Sequence, residues 1–307
     1  MISVIIVNWN AGRQLKNCLD SICKNSTGFA VQIIVVDNNS SDGSEIFAEF
    51  CAEAKLIKSD VNLGFGKACN LGAMAADGDY FLFLNPDAAL YPDTIGKAIS
   101  YMSNPQNNRV GICGVQLIEE NGHVARSCSR FPQAWHFVFH ALGVDRLNPR
   151  LGHFMNEWPH DDTREVDHVI GAFFLVRSSV FFQLNGFDER FFVYLEDLDF
   201  SYRASQAGWS SVFLADVKAF HAGGGTSRSI KARRMFYSLR SRLLYAFKHF
   251  SLPNAYLVLL MTLLLEPISR LLLAVAKMSY SSFKETLSGY GMLWRWLPQW
   301  LFKGITR

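Results

Sequence analysis

Acidic residues are almost missing from the last third of the chain. Residues 217–307 hold 14 Lys and Arg but only Glu266 and Glu285, a net of +12. No Asp or Glu lies between Lys218 and Leu265. Residues 1–216 carry a net of −9, so the overall charge of +3 conceals two parts of opposite sign. Such a split separates an acidic part from a basic tail that suits an anionic partner, a nucleic acid or a membrane surface. Paired cysteines are missing too. The six Cys form no C-x-x-C, which argues against a zinc site or a disulfide framework and fits reduced thiols. The G-x-x-x-x-G-K-[ST] pattern is absent, which excludes a P-loop. No basic segment precedes the short apolar run within Met1–Trp9, so no signal peptide is expected. What is present is a hydrophobic half (50% of 307 residues, against 19% charged), enough for a core and wrong for a disordered chain.

The first part alternates short apolar runs with helical patterns. Ser3–Val7, Gln32–Val36, Leu56–Lys58 and Tyr80–Leu84 read as strands. Arg13–Lys24, Ser44–Ala54, Gly66–Ala76 and Asp93–Met102 read as helices. The strand runs are nearly continuous in Val, Ile, Leu and Phe, as parallel strands covered on both faces require. A βαβ series of this kind binds ligands at the carboxyl ends of its strands. Further on, Asn121-Gly122 marks a hairpin between Val115–Ile118 and Val124–Ser127. Residues 130–165 read as a loop or short helices. Ala172–Val176 and Ser211–Leu214 read as strands, with a helix over Leu198–Ala207.

Four segments carry chemistry. After the second strand stands Asp37-Asn38-Asn39-Ser40-Ser41-Asp42-Gly43. Its first carboxylate can accept from a base imide or a ribose hydroxyl, and the rest makes a turn. Asn62-Leu63-Gly64-Phe65-Gly66 opens a helix with glycines that let backbone approach an anion. Leu84-Asn85-Pro86-Asp87 delivers a carboxylate from a buried strand, as binding Mg²⁺ or Mn²⁺ against a diphosphate requires. Tyr194-Leu195-Glu196-Asp197-Leu198-Asp199 places three carboxylates at a helix start, behind aromatic residues that would withhold water from a general base. Each segment would also serve a plain turn or a helix cap. His221, after the last strand, is placed to join Asp87 on a cation.

In this order and spacing the four segments resemble the family 2 glycosyltransferases, in particular the bacterial rhamnosyltransferase-like branch, over about residues 2–245. The resemblance implies an α/β GT-A fold: a mostly parallel sheet with helices on both faces. It divides the chain into a catalytic domain over 1–228 (1–115 for the nucleotide-sugar, 116–228 for acceptor and catalysis) and a basic, amphipathic helical region over 229–307. It implies an inverting enzyme that uses Mg²⁺ or Mn²⁺. Asn8, Asn10, Asp37, Asn39, Gly64, Phe65, Gly66, Asn70, Asn85 and Arg228 fall to the nucleotide-sugar. Gly171 and Ala172 fall to the acceptor side. Asp87 and His221 fall to the metal, with Asn85 where the family often has a first Asp. Asp197 matches the general base, and Glu196 is its fallback. dTDP-L-rhamnose is the first donor to consider and a UDP-hexose the alternative. A non-catalytic, membrane-bound sugar-nucleotide binding protein is the reading from another class.

The tail bears on the acceptor. Ile230–Phe250 is a basic helical pattern, with Arg233, Arg234, Arg240, Arg242 and Lys248. The uncharged run Phe250–Leu265 is shorter than the roughly 20 residues of a spanning helix, and Glu266 and Arg270 follow it. Trp294, Trp296 and Trp300 beside Arg295, Lys303 and Arg307 suit a headgroup interface. These features point to peripheral attachment at the cytoplasmic face of the inner membrane and a lipid-linked saccharide acceptor. A helical homodimer interface is the alternative. The apolar run and the Trp cluster argue against nucleic acid.

Overall fold

The computed structural model describes every residue except 26, 27, 29, 224–229 and 307. The Val- and Ile-rich runs become strands β1 (Ile2–Asn8), β2 (Val31–Asp37), β3 (Ala54–Lys58) and β4 (Tyr80–Leu84), joined by helices α1 (Arg13–Asn25), α2 (Ile46–Glu49) and α3 (Phe65–Ala73). All seven residues of β1 are buried, which accounts for an unbroken apolar run instead of an alternating one. The expected helix over Ser44–Ala54 shrinks to the four residues of α2. A turn closed by the Ala54 N–H on the Cys51 carbonyl (2.9 Å) ends it, and Ala54 pairs with Ile33.

The chain continues through β5 (Ala88–Leu90), α4 (Thr94–Ser103), β6 (Val110–Ile118), β7 (Cys128–Ser129), α5 (Ala134–Leu142), β8 (Arg164–Val166), β9 (His168–Val169), β10 (Phe173–Arg177), α6 (Ser178–Gln183), α7 (Glu196–Gln206) and β11 (Ser210–His221). The expected hairpin is reduced to one antiparallel bridge, Ile118 to Val124. The main sheet runs β3-β2-β1-β4-β10-β6-β11-β5, with β8 on β11, and β7 pairs separately with β9. β10 is antiparallel to both its neighbours, β4 and β6.

The chain forms two compact units that interleave in sequence. The first takes Met1–Arg130, Trp158–Glu189 and Asp197–Thr226. The second takes Phe131–Glu157, Arg190–Glu196 and Ser227–Arg307. In the first, the β1, β2, β4, β6 and β10 side chains form one core with Leu15, Cys18, Leu19 and Ile22 of α1.

The second unit is helical: α5, then α8 (Lys231–His249), α9 (Leu252–Leu260), α10 (Glu266–Ala276) and α11 (Tyr280–Lys303). Leu239, Leu243 and Tyr245 of α8 are buried, as are Tyr290, Leu293 and Trp296 of α11. Two expectations change here. First, α9 and α10 join through a π-turn, Met261–Leu265, into one helix over Leu252–Ala276 that is long and apolar enough to cross a membrane. Glu266 lies inside this helix, and Arg242 and Arg270 neutralise its carboxylate. Second, the cations of α8 do not share a solvated face. Arg240 is buried among Phe192, Phe236 and Tyr237, 5.0–5.4 Å from their ring centres. Arg242 turns inward onto Glu266. Trp296 is likewise packed, stacked on Trp300 at 5.1 Å.

Candidate active site

Five elements bring their ends to one edge of the first unit's sheet. β1, β2 and β4 run parallel and finish there at Asn8, Asp37 and Leu84. β10 runs the other way, so Phe173 faces Leu84, and Gly171 and Ala172 lead into it from the same edge. β11 finishes there at His221, opposite Ala88 of β5.

One corner is built from amides and a carboxylate. Asn8 and Asp37 are register partners and both are buried. Asn8 Nδ2 donates to Asp37 Oδ1 (2.7 Å) and to Ser44 Oγ (2.9 Å). Asp37 Oδ2 accepts from the Ser40 N–H at 3.1 Å, which fixes the carboxylate's orientation. Asn10 and Asn39 take left-handed backbone, as asparagine tolerates, and Asn10 Oδ1 accepts from the Ser41 N–H at 2.7 Å. Asn38, given no separate role from the sequence, ties this loop to the next. Its Oδ1 accepts from the Leu63 N–H (2.7 Å), and its Nδ2 donates to the Gly64 carbonyl (3.2 Å). Gly64, at φ +77°, then starts α3 with Phe65 and Gly66, a conformation that favours glycine. Asn70, expected along the base and sugar, spends both ends of its amide on the Phe187 backbone, each at 2.9 Å.

Next to this corner, the Asn85 N–H donates to the Ala172 carbonyl at 3.1 Å. The Asn-Pro-Asp turn leaves Asp87 Oδ1 3.3 Å from His221 Nε2, although 134 residues separate them. Asn85 Nδ2 lies 3.5 Å from the same nitrogen. The β5–β11 register causes this meeting, because it sets His221 against Ala88, the residue after Asp87. Both side chains are nearly buried, at 8% and 12% exposure. One carboxylate oxygen and one imidazole nitrogen facing each other fit a divalent cation whose other ligands are phosphate oxygens and water.

On the other side of Ala172, the Gly171 N–H donates to Asp197 Oδ2 at 2.7 Å, and Oδ1 accepts from the Leu198 N–H at 2.8 Å. His168, which sequence reasoning missed, is buried with Nε2 3.7 Å from Oδ2 and Nδ1 3.1 Å from Ser201 Oγ. Burial pushes this imidazole's pKa below its usual value, against the pull of Asp197, so it is neutral at pH 7. A Cβ on Gly171 would meet Asp197 Oδ2 at 3.1 Å. Gly171→Ala is therefore expected to lower kcat about tenfold by displacing the carboxylate, while Tm stays near that of the parent. Steady-state kinetics beside a melting curve checks this.

Glu196, the first residue of α7, is buried. The two residues ahead of it, Tyr194 and Leu195, hold left-handed backbone at φ +69° and +66°. Each costs on the order of 1–3 kcal/mol, and such strain collects at functional sites. Arg228 lies outside the described residues.

Residues 3–181 match the family model for glycosyl transferase family 2. Over 235 residues the chain is 31% identical to an N-acetylglucosaminyl-diphospho-decaprenol L-rhamnosyltransferase of Mycobacterium tuberculosis, covering 72% of this chain and 76% of that protein. It is 28% identical over 264 residues to the rhamnosyltransferase WbbL of Escherichia coli K12, covering 83% and 96%. Its fold is similar to that of a mannosyltransferase from Pyrobaculum calidifontis in complex with GDP-Man and Mn²⁺, with a TM-score of 0.56 and 17% identity over 98% of this chain and 87% of that one.

Proposed function

The chain belongs to glycosyl transferase family 2, and from that premise we propose that it transfers L-rhamnose from dTDP-L-rhamnose, with inversion, to a hydroxyl of a lipid-linked saccharide in bacterial surface polysaccharide assembly. The donor assignment draws support from the two rhamnosyltransferases it resembles. The observation that carries the reading is the Asn85–Ala172 hydrogen bond. It joins the Asp87–His221 pair to the Gly171–Asp197 pair at one sheet edge, so a leaving diphosphate and an attacking hydroxyl can share one sugar.

Asp197 takes the proton from the acceptor hydroxyl. The oxygen bonds to the anomeric carbon as the bond to the nucleoside diphosphate breaks on the opposite face. Two backbone N–H groups hold the carboxylate, and the remaining lone pairs are left for the hydroxyl. Asp87 and His221 would hold Mg²⁺ or Mn²⁺, which supplies positive charge for the departing diphosphate. Asn8, Asn10, Asp37 and Asn39 make the nucleotide corner, and Asp37 accepts from the base or ribose.

The acceptor's lipid accounts for a feature of the second unit. Leu252, Tyr256, Leu260, Leu264, Ile268 and Leu272 recur at every fourth position and are each more than half exposed. An apolar stripe of this length suits a bilayer surface at the cytoplasmic face.

A panel of sugar nucleotides read by thermal shift with Mn²⁺ tests the proposal. dTDP-L-rhamnose is expected to stabilise most, by about 2.7 kcal/mol at one hundred times its Kd, and Asp87→Ala to abolish the Mn²⁺ dependence. A larger shift from a UDP-hexose would move the donor to that class. No shift from any sugar nucleotide would overturn the reading.

A further inference from the structure

The second unit contains a cavity of about 300 Å³, lined by Tyr194, Lys231, Arg234, Met235, Ser238, Leu239 and Arg270. Small-molecule pockets start at about this size. Three of its seven lining residues are cations and none is acidic. Lys231 stands 3.8 Å from Glu285, and Arg270 is paired with Glu266 at 2.7 Å. Arg234 makes no ion pair among the described residues. Among the described residues the cavity therefore holds a cation without a counter-charge, plus hydroxyl donors from Tyr194 and Ser238.

Its position narrows the ligand. Tyr194 stands two residues ahead of Glu196, in the strained turn that leads into α7. Arg270 belongs to the helix that carries the exposed apolar stripe. An anion held here is thus attached to the helix that carries the apolar stripe and to the strained turn before Glu196. We propose that this cavity binds the diphosphate of the lipid-linked acceptor. The inference rests on the lipid-linked acceptor proposed above. Guanidinium forks suit phosphate oxygens, and charge-assisted contacts to them are the strong ones.

The test uses the full chain and a farnesyl-diphospho-N-acetylglucosamine probe, beside a farnesyl N-acetylglucosaminide that lacks phosphate. Arg234→Ala is expected to weaken binding of the diphosphate probe by about ten- to hundredfold, the loss of one contact to a charged group, and to leave binding of the phosphate-free probe unchanged. Arg234→Lys is expected to recover part of the loss. Arg233→Ala, the same charge change at an exposed position outside the lining, is expected to bind the diphosphate probe like the parent. Melting curves confirm that each variant folds. Equal binding of the diphosphate probe by Arg234→Ala and the parent overturns the inference. So does an equal loss in Arg233→Ala, or an equal loss of binding to phosphatidylglycerol vesicles, which would mark a general anionic surface. If the parent protein responds to sugar nucleotides with Mn²⁺ but ignores the probe's phosphates, the diphosphate site fails and the transferase reading stands. If it responds to no sugar nucleotide, the transferase reading fails first.

Discussion

Asp197→Asn is expected to lower kcat by about 10²–10⁴ while the donor's KM changes little. That range is what a positioned general base contributes. The carboxylate accepts from two backbone N–H groups, Gly171 on Oδ2 and Leu198 on Oδ1. A carboxamide keeps one of these acceptors and turns an NH₂ toward the other donor, so the substitution removes the base and disturbs its seat together. Donor affinity should survive, because the proposed contacts to the nucleotide and diphosphate come from Asn8, Asp37, Asp87 and His221. Initial-rate kinetics with varied donor at saturating acceptor gives both constants. Glu196→Gln, at the neighbouring position, separates the two carboxylates: if Glu196→Gln stops turnover and Asp197→Asn does not, the base is Glu196. His168→Ala should show a smaller loss than Asp197→Asn, since the imidazole stands beside the carboxylate at 3.7 Å and takes no proton in the proposed step.

Much of this site could be read from local sequence, and the exceptions share a cause. β1, β2 and β4 matched their apolar runs to within about a residue, because strands buried on both faces write their burial into every position. The polar residue that ends each run marks the sheet edge, which is how Asn8, Asp37 and Asp87 stood out. His221 was visible only as a histidine after a strand. Its meeting with Asp87 depends on β5 pairing with β11, a register that no local pattern reveals. His168 gave no signal, since its meaning lies in a contact with Asp197 across 29 residues. The left-handed pair Tyr194–Leu195 was equally silent, because neither residue type favours that backbone. Spacing rules also missed Cys23 and Cys51, whose sulfur atoms come within 3.9 Å although 28 residues separate them. The tail shows the same limit. A charged pair that looked like the end of an apolar run lies inside a longer helix, and the arginine that meets it, Arg242, comes from another helix.

That meeting carries the second large effect. Glu266 is 1% exposed and is held by Arg242 and Arg270, with Arg270 Nε at 2.9 Å and Nη2 at 2.7 Å from Oε1. Burial alone would raise its pKa, but the two guanidinium groups together overcome that and hold it at about 2. Glu266→Gln leaves two arginines in a largely buried cluster without their counter-charge, which costs about 3–5 kcal/mol. The sign of the pH dependence follows from the direction of the shift. A carboxyl whose folded pKa is depressed contributes stability that is complete above its unfolded value. That stability disappears as pH falls through about 4.5 toward 2, and here it amounts to about 3 kcal/mol. Urea unfolding followed by tryptophan fluorescence from pH 7 to pH 2 should therefore show the parent losing stability across that window. The Glu266→Gln curve should start lower and run flatter there. His140, nearby in the same cluster, is kept below its usual pKa first by burial and then by Arg242, so it stays uncharged at neutral pH and adds no third positive charge beside the two arginines. Replacing Arg242, Glu266 and Arg270 together with Met should recover most of the loss, since a packed apolar cluster needs no counter-charge. A Glu266→Gln protein with the parent's stability at pH 7 and a parallel acid limb would show that solvent, not the two arginines, holds this carboxylate.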